Sequence, residues 1–387
     1  VYKKAYKIEI IPTLEQKEKI NKTIGVCRFI YNFYLSHNIE TYEINKGFIT
    51  GYDFSKWLNN EFLPNNKKYS WIKEVSSKAV KQAIMNGHKA FNKFFAKEAD
   101  FPKFKKKNKS DVKAYFPKNN ETDWAIERHK VKIPTLGWVR FKEYGYCPVN
   151  SIIKSGTVSK KADRYYVSIL VEEPENKPSK SNSDGVGIDL GLKDFVICSN
   201  GDVYKNINKT TRIKKAEKRL KREQRKLSRK YDSLKKSNNK KGGATRQNIQ
   251  KQVIKVQKAH QTLNNIRTDY INKVINKIVK TKPSYIALED LNVKGMMKNK
   301  HLSKAVANQR FSEFRTKTEN KCKRHNIELR IIDRWHPSSK LCSCCGNKKI
   351  DLKLSDRTYK CDNCNTILDR DLNASYNLKN AKKYKIA

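Results

Sequence analysis

The chain has 387 residues, of which 37% are hydrophobic, so it is long enough for two or three domains with packed cores. Lysine and arginine number 85 against 38 aspartates and glutamates, and the formal net charge of +47 is most easily offset by a polyanionic partner. No apolar stretch approaches the roughly 18 residues that cross a bilayer, and the N-terminus has no secretory signal, so we expect an intracellular protein without a membrane partner.

The first part of the sequence predicts helices and a small antiparallel sheet. Polar and apolar residues alternate over 3–12, which is typical of a half-buried strand, and a helical pattern follows from Thr13. A second helix is predicted over 76–99, followed by the basic stretch 101–110. Short alternating segments such as RYYVSILVEE dominate over 113–173 and indicate an antiparallel sheet or barrel.

The pattern changes after residues 175–184, a segment rich in serine, asparagine and lysine that we interpret as a linker. Three short strands are predicted in DGVGIDLGL, DFVICSN and GDVY. Two long helices joined at Gly242 and Gly243 are predicted around 209–258, where 20 residues are basic and three are acidic. SYIALEDL then predicts a strand, 303–325 a helix, IELRIID a strand, and DLNASYNLKNAKKY a final helix.

Three acidic residues stand where these elements would bring them together. Asp189 interrupts an apolar strand, Glu289 ends the run SYIALE, and Asp371 opens the final helix. Each one alone is more simply explained as a strand or helix cap, or as the partner of a lysine. Together they follow the element order of an RNase H-like domain, in which Asp189 and Glu289 lie on neighbouring strands beside Asp371.

Such a group suits the hydrolysis of phosphodiester bonds. Carboxylate oxygens are ligands that Mg²⁺ prefers, and two ions about 4 Å apart activate the attacking water and stabilise the leaving oxygen. Asp369 is an alternative to Asp371, and Asp290 is an alternative to Glu289. We prefer Asp371 because it directly precedes the LNAS segment, and Glu289 because strand alternation points Asp290 away.

Five of the nine cysteines crowd into one short stretch. Two CxxC pairs separated by fifteen residues have the spacing of a zinc ribbon, in which four thiolates hold one structural ion. The predicted ligands are Cys342, Cys345, Cys361 and Cys364. Gly346 and Asn365, directly after the pairs, suit tight turns, and Cys344 leaves the ligand choice open. A redox CxxC would not explain the second pair. The scattered cysteines 27, 147, 198 and 322 are predicted to be buried small hydrophobes.

Five motifs occur in an order that resembles one known family. GIDLGLKDF, ALEDLNVKGM, SSKLCSCCG, KCDNC and DRDLNASYNL closely resemble the TnpB (OrfB) family, which bacterial and archaeal insertion sequences encode. The opening KAYKIEIIPTLEQKEKINKTIGVCRFIYNFYL and the basic FPKFKKK also resemble that family, so the resemblance runs from about residue 3 to 378. The additional Cys344 departs from the pattern, whereas the three acids do not.

The resemblance implies an RNA-guided DNA endonuclease related to the compact type V CRISPR effectors. Its RuvC acids would be Asp189, Glu289 and Asp371, which would bind two magnesium ions, and the four predicted cysteine ligands would bind one structural zinc ion. The implied partners are a guide RNA derived from the transposon end and double-stranded target DNA with a short adjacent motif. No protein partner is required, and the implied location is the bacterial or archaeal cytoplasm, at the nucleoid.

The architecture implied by the resemblance is α/β and multidomain. Residues 1–180 would form a nucleic-acid recognition region, a small wedge-like β-barrel with a helical insert at about 13–110. A RuvC/RNase H-like nuclease domain would occupy 181–335 and end with a last helix in 369–387. The zinc ribbon would be inserted between these parts, at 336–368.

Basic residues of two segments are candidate contacts with nucleic acid. They are Lys103, Lys105 and Lys106 of the FPKFKKK stretch and Arg212, Arg219, Arg222 and Arg225 of the basic helices. A run of charge is ordinarily a solvated face, but together these residues predict an affinity that falls steeply with salt. Phe101 and Phe104 have two interpretations, stacking on bases and packing against the barrel.

Two other functions are compatible with the sequence. A nuclease-inactive RNA-guided repressor would be expected to lack acids of the catalytic group, and all three are present here. A transposase or strand-transfer enzyme would share the RNase H-like fold but would not need a dedicated guide RNA. The nucleic acid that copurifies with the protein therefore distinguishes a transposase from an RNA-guided endonuclease.

Overall fold

The computed structural model describes residues 2–107, 112–118, 120, 123–149, 151–174, 184–236, 245–353 and 355–387. The chain divides into two compact units, Val1–Pro174 and Glu175–Ala387. The predicted linker, except for Asp184, lies outside the described residues, as do 108–110 of the basic stretch and the predicted turn at Gly242 and Gly243. Within the described ranges, none of the helices combines the length and apolarity needed to span a bilayer.

The first unit contains a seven-stranded antiparallel sheet with the spatial order β2-β6-β7-β1-β5-β4-β3. Its strands are β1 (Tyr2–Ile11), β2 (Lys113–Pro117), β3 (Ala125–Ile126), β4 (Lys130–Ile133), β5 (Gly137–Phe141), β6 (Ile152–Lys161) and β7 (Arg164–Glu173). Strand β1 is central and buries Tyr6, Ile8 and Ile10 on one face, as its alternation predicts. The predicted antiparallel sheet is confirmed, while its closure into a barrel stays a prediction.

In the described residues of the first unit, four α-helices follow β1. They are α1 (Leu14–Asn45), α2 (Gly51–Trp57), α3 (Leu63–Asn65) and α4 (Ser77–Phe95), with a π-helical turn at Leu58–Phe62 and a 3₁₀ segment at Lys67–Glu74. The predicted start of α1 is confirmed, because Thr13 and Gln16 form a capping box at its N-terminus. Buried side chains such as Tyr34, Leu35 and Ile84 form the core between α1 and α4.

The second unit contains a six-stranded mixed sheet with the order β10-β9-β8-β11-β12-β15. Its strands are β8 (Val186–Leu190), β9 (Asp194–Cys198), β10 (Val203–Lys205), β11 (Tyr285–Glu289), β12 (Glu328–Ile332) and β15 (Tyr384–Ile386). Strands β8, β11 and β12 are parallel, and the three other strands pair antiparallel to their neighbours. The predicted strands after the linker, in SYIALEDL and in IELRIID are therefore confirmed.

The helices of the second unit flank and extend this sheet. They are α5 (Thr211–Lys236), α6 (Arg246–Lys280), α7 (Val293–Met296), α8 (Ser303–Gln309), α9 (Phe311–His325) and α10 (Arg370–Lys379), with a 3₁₀ turn at Ile207–Lys209. Helices α5 and α6 are the two predicted long basic helices and pack against each other. Apolar residues recur every seven positions in α5, at 213, 220, 227 and 234, which is the periodicity of paired helices.

The cysteine cluster lies between β12 and α10. It contains a two-stranded antiparallel sheet formed by β13 (Thr358–Lys360) and β14 (Ile367–Asp369). Tyr359 and Leu352 are buried next to the cysteines and form a small core of their own. A core of this size leaves most of the stabilisation of the segment to other bonds, such as those to a metal ion.

The helix predicted over 303–325 is interrupted. Arg310 adopts the left-handed conformation with φ of 58° and separates α8 from α9. Its guanidinium Nη1 donates to Thr268 Oγ1 at 3.2 Å and to Glu313 Oε2 at 3.1 Å, and these contacts accompany the bend. A left-handed conformation of a non-glycine residue is unfavourable. Periodicity alone therefore gave no sign of this break.

The final helix is shorter than predicted. It ends at Lys379, and the segment Tyr384–Ile386 forms strand β15, which pairs antiparallel with β12 and forms the edge of the sheet. The guanidinium of Arg330 on β12 lies 3.5 Å from the ring centroid of Tyr285 and 4.5 Å from that of Tyr384. Pairing of an exposed edge and these cation–π contacts explain why the last residues leave the helix.

Gly187 determines how closely α10 approaches β8. A Cβ atom at this position would lie 2.0 Å from the carbonyl oxygen of Ser375 and 2.5 Å from the backbone nitrogen of Lys379. Both are backbone atoms of α10, so no side chain can move aside to make room. The helix that carries Asp371 therefore rests directly on the backbone of the strand that carries Asp189.

We expect Gly187→Ala to reduce the free energy of unfolding by about 2–3 kcal/mol, because the added methyl group forces α10 away from the sheet. Gly25→Ala is a control, since nothing lies within 4 Å of a Cβ there and the residue is inside helix α1. That control should be stabilised by about 0.5–1 kcal/mol. Urea denaturation measures both, and equal stability of Gly187→Ala and the parent would contradict the assigned contact.

Candidate functional site

The three predicted acids lie at one end of the second sheet and its neighbouring helix. Asp189 is the fourth residue of β8, Glu289 is the last residue of β11, and Asp371 is the second residue of α10. The parallel register of β8 and β11 places Ile188 opposite Leu288, one residue before the two acids. Asp189 and Glu289 therefore leave adjacent strands side by side, and all three acidic side chains are half-buried.

The electrostatics of the three acids are coupled. Burial raises the pKa of Asp189 to about 7, and the charges of Asp371 and Glu289 contribute in the same direction. Burial, followed by the charge of Asp290, raises the pKa of Glu289 to about 7. Burial and the neighbouring Asp369 also raise the pKa of Asp371. Half-buried carboxylates that repel one another in this way are typical of a site for a divalent cation.

The spacing of the acids differs from that of the cysteines. Within the described ranges, the four cysteines are the group whose ligand atoms all lie within 4.8 Å of one another. Asp189, Glu289 and Asp371 do not form such a group within the described residues. The evidence that they belong together is the adjacent ends of β8 and β11 and the effect of the charges of Glu289 and Asp371 on the pKa of Asp189.

The two alternative acids have other partners. Asp369 is the N-cap of α10, and its Oδ1 accepts hydrogen bonds from the backbone nitrogens of Asp371 at 2.9 Å and Leu372 at 3.1 Å. Asp290 accepts hydrogen bonds from the guanidinium groups of Arg334 and Arg315, which lower the pKa of Asp290. By contrast, none of the three preferred acids forms an ion pair within the described part of the chain.

A cavity of about 330 Å³ opens beside Glu289. Its lining includes Arg315, Arg334 and Lys294 in addition to Glu289 and Leu190. Sequence reasoning missed the two arginines, because in a chain with 85 lysines and arginines neither residue stands out. Only the tertiary contact of both with Asp290 distinguishes them.

The four predicted cysteine ligands form one cluster. The Sγ atoms of Cys342 and Cys364 are 3.5 Å apart, and those of Cys345 and Cys361 are 3.6 Å apart. These distances are too long for disulfide bonds, which measure about 2.05 Å. Four convergent thiols with this spacing fit a tetrahedral metal ion. Cys344 is exposed and does not belong to the cluster.

The two CxxC turns have matching backbone geometry. Gly346 has φ of 75° and donates its backbone N–H to Cys342 O at 2.9 Å, and Asn365 has φ of 56° and donates to Cys361 O at 3.1 Å. The predicted tight turns after both pairs are therefore confirmed. Hydrogen bonding by Thr366 lowers the pKa of the Cys364 thiol to about 6, which favours the thiolate that a metal ion requires.

The first cysteine turn is hydrogen-bonded to helix α10. Asn373, which is fully buried, donates to Leu341 O at 2.6 Å and accepts from the backbone nitrogen of Ser343 at 3.0 Å. Asn377 donates to Leu341 O and to Ser338 O, each at 2.7 Å. The segment that holds the first two cysteines is thus fixed to the helix that carries Asp371. Sequence reasoning missed both asparagines.

The predicted nucleic-acid contacts differ in their environments. Arg212, Arg219, Arg222 and Arg225 are all exposed on α5. Lys103 and Lys106 are exposed too. Lys105 is half-buried, its backbone exchanges two hydrogen bonds with the side chain of Asn32, and its Nζ lies 5.0 Å from the ring centroid of Tyr31. Lys105 therefore anchors the basic stretch to α1.

The two phenylalanines of the basic stretch stay on the surface. Phe101 makes edge contacts with Phe91 and Phe94 of α4, with ring centroids 5.7 and 5.2 Å apart, and its side chain is nevertheless exposed. Phe104 is exposed as well. The ring contacts of Phe101 are thus with helix α4, and the choice between its two interpretations stays a prediction.

Three protein-family models match the chain. The OrfB_IS605 family, described as "Probable transposase", matches residues 168–300, and a "Cas12f1-like, TNB domain" matches residues 311–378. A "Helix-turn-helix domain" of the OrfB_IS605 type matches residues 2–47, which here form strand β1 and the single long helix α1.

The chain is also similar to individual proteins over nearly its whole length. A relative from Streptomyces pristinaespiralis, named "Putative RNA-guided DNA endonuclease", is 30% identical over 97% of this chain and 88% of the relative. InsQ of Escherichia coli (strain K12), which has the same descriptive name, is 28% identical over 97% of this chain and 91% of InsQ. A TnpB-like protein of Methanocaldococcus jannaschii is 32% identical over 28% of this chain and 41% of that protein.

The fold is similar to that of a solved complex. The Cas12f1 chain of a cryo-EM structure with sgRNA and target DNA matches with a TM-score of 0.56 and 16% identity, and the match covers 99% of both chains. The likeness in fold thus extends over both units. Taken with the family matches and the 30% identical relative, it shows that the chain belongs to the TnpB (OrfB) family.

Proposed function

We propose that this protein is an RNA-guided DNA endonuclease that hydrolyses phosphodiester bonds at a magnesium-dependent RuvC-type site formed by Asp189, Glu289 and Asp371. The observation that carries the proposal is the convergence of these three half-buried carboxylates, which have raised pKa values and no ion-pair partner in the described ranges. Without a cation, that arrangement costs free energy and stabilises nothing. A divalent metal ion offsets the cost.

The sheet supports an RNase H-like assignment. The meander β8-β9-β10 is followed by the parallel strands β11 and β12, and the acid-bearing helix α10 packs on β8. This is the predicted element order, with the helices α5 and α6 inserted between β10 and β11. We propose that residues 181–335 and 369–387 form the nuclease domain and that the first unit is the wedge and recognition region.

The protein's own residues have separate tasks in the proposed reaction. Asp189 and Glu289 present carboxylates from adjacent strands, where the backbone is held by the sheet, and Asp371 completes the group from the first turn of α10. Two magnesium ions held by these oxygens would supply the activated water and stabilise the leaving oxygen. Asp369 fixes the first turn of α10 through its cap, so the position of Asp371 is set before any metal binds.

The proposed nucleic-acid partners are a guide RNA from the transposon end and double-stranded target DNA with a short adjacent motif. The net charge of +47 and the exposed arginines of α5 support binding of a polyanion. The names of the relatives and the composition of the Cas12f1 complex support the identity of the two nucleic acids. We also propose that the ion in the cysteine cluster is zinc, since four thiolates are its usual ligands in structural sites.

Copurified nucleic acid provides the first test. The protein is expressed together with the DNA that flanks its gene, purified, and its bound RNA is sequenced. We expect one discrete RNA with a variable end. In a plasmid library that carries the matching target sequence beside a randomised short DNA segment, the complex should cut the plasmids with one particular adjacent sequence. Heterogeneous RNA with no guided cutting would contradict guidance, and joined rather than hydrolysed DNA ends would indicate strand transfer.

Asp189→Asn should abolish guided cleavage, with a loss of at least a thousandfold in rate, because it removes one charged oxygen ligand from the centre of the group. The same variant should unfold at no lower temperature than the parent in metal-free buffer, since it relieves repulsion among half-buried carboxylates. Cleavage assays and thermal unfolding measure the two effects.

Asp202→Asn is the matched control, because Asp202 is an exposed aspartate of the same unit, in the turn that precedes β10. It should cut like the parent. Retained cleavage by Asp189→Asn would show that Asp189 has no role in the reaction. A marked loss of stability in the same variant would contradict the proposed repulsion among the carboxylates.

Cys361→Ser should lose the metal ion and slow cleavage at least tenfold, although the cysteine cluster is a separate site from the three acids. The reason is that the first cysteine turn is hydrogen-bonded to α10 through Asn373 and Asn377. Plasma mass spectrometry should find about one zinc ion per chain in the parent. Cys344→Ser is the matched control and should keep both the zinc and the activity, since Cys344 lies outside the cluster.

A full zinc content in Cys361→Ser, or its loss in Cys344→Ser, would overturn the ligand assignment. If a zinc-free Cys361→Ser protein cleaved DNA normally, the assignment of the zinc ligands would still hold. Such a result would instead contradict the role of the cluster in fixing α10.

A further inference from the structure

An exposed tryptophan follows the strand next to the acids. Trp335 is 85% exposed, which is the largest value among the large apolar side chains of the described residues. Its backbone is held in a turn, because its N–H donates to Asp333 Oδ1 at 2.8 Å and the N–H of His336 donates to Asp333 O at 3.0 Å. A single exposed apolar residue is ordinary on a protein surface, so the surroundings of Trp335 decide its significance.

The residue before Trp335 belongs to a pair of arginines beside Glu289. Arg334 precedes Trp335 directly and donates from Nη2 to Asp290 Oδ2 at 2.7 Å, and Arg315 of α9 donates from Nη1 to Asp290 Oδ1. Asp290 is the residue after Glu289, and both arginines line the cavity beside Glu289. One carboxylate thus fixes two guanidinium groups next to the proposed cutting site.

This arrangement contributes little to stability. The side chains of Arg315 and Arg334 are 41% and 42% exposed, and ion pairs with that exposure contribute little to folding. Each contact with Asp290 engages one guanidinium nitrogen, so each arginine keeps further N–H donors toward the cavity. Two guanidinium charges against one aspartate leave net positive charge beside the carboxylate of Glu289. Guanidinium groups that are already oriented are well suited to bind a phosphate.

The exposed ring adds a requirement on the form of the nucleic acid. Bases in a duplex are stacked on each other and present only their edges, whereas an unpaired base offers a face to an aromatic ring. A ring and two guanidinium groups are therefore suited to one unpaired strand. A guide RNA held against the proposed cutting site would itself be exposed to hydrolysis, which favours DNA as the occupant.

We propose that Arg315, Arg334 and Trp335 bind the single DNA strand that is to be cut, with the phosphate on the arginines and a base on the indole ring. Asp290 is a positioning residue that acts through both arginines. This inference rests on the proposed function for the identity of the strand, but its contacts can be measured without cleavage.

The test uses the purified protein–RNA complex in calcium buffer and three labelled 15-mers: oligothymidine, an abasic DNA of equal length, and oligouridine. The abasic strand has the same number of phosphates, so binding elsewhere on the basic surface affects both DNA strands alike. We expect the complex to bind oligothymidine about tenfold tighter than the abasic strand, the size expected for stacking of one base. Trp335→Ala should lose this preference and Trp335→Phe should keep most of it.

Controls in the same unit separate stacking from other effects. Ile350→Ala removes another highly exposed apolar side chain and should bind like the parent. Asp290→Asn should weaken the binding of both DNA strands by about threefold and leave the preference for oligothymidine over the abasic strand unchanged. Asp290→Glu should restore the binding affinity. Photocrosslinking of an iododeoxyuridine 15-mer should label the peptide that contains Trp335.

The outcomes are distinguishable from failure of the proposed function. Suppose that the parent complex cuts target DNA under RNA guidance. If Trp335→Ala then keeps the full preference for oligothymidine, or the crosslinks lie on other peptides, this inference alone would be overturned. Equal binding and crosslinking of oligouridine at Trp335 would overturn the choice of DNA. Unchanged binding by Asp290→Asn would remove its positioning role. If the complex shows the Trp335 crosslink but never cuts DNA, the proposed function would be contradicted and the proposed binding site would still stand.

Discussion

The direct contact of helix α10 with the backbone of strand β8 is the constraint on which the site depends. Gly187 permits this contact, because any Cβ atom there would overlap with the carbonyl oxygen of Ser375. Asp189 lies two residues after Gly187 on the strand, and Asp371 lies at the start of the helix. A larger residue at this position would add apolar surface but would push α10 away from the strand. A glycine instead allows two acids from distant parts of the sequence to meet.

The acids meet at an electrostatic cost that the rest of the unit offsets. Burial raises the pKa values of Asp189 and Glu289, and the charges of nearby acids add to the effect, Asp371 and Glu289 for Asp189 and Asp290 for Glu289. The metal-free group therefore opposes the packing that creates it. The neighbouring acids are themselves stabilised, because Asp290 is paired with two arginines and Asp369 caps a helix. Four of the five acids therefore form two sequence pairs, Glu289 with Asp290 and Asp371 with Asp369, while Asp189 stands alone in the sequence. In each pair, one acid is engaged by a neighbouring group and the other belongs to the proposed metal site.

Much of this arrangement follows from local sequence patterns. Strands β1, β8 and β11 were predictable from alternation or apolar runs, and the cysteine cluster from spacing alone, since a metal site requires thiolates at fixed intervals. The break at Arg310 and the strand at Tyr384–Ile386 were not predictable, because each depends on partners far away in the sequence, such as Thr268 and Arg330. The same limit hid the asparagines that bind the cysteine turn and the arginines around Asp290. In a chain so rich in lysine and arginine, only a tertiary contact separates a functional charge from a solvated one.

Helix α10 is fixed along its whole length, and its bonds join the small cysteine-rich segment to the helix that carries Asp371. Asp369 caps the first turn, Asn373 and Asn377 bind the cysteine turn in the middle, and Tyr285 donates to Lys379 O at 3.0 Å at the end. A ten-residue helix has little stability of its own in water. Its position therefore comes from these bonds and from the contact with β8. A metal ion held by the four cysteines would stabilise the bonds in the middle of the helix. The two candidate metal sites are thus mechanically connected through one short helix, although they share no ligand.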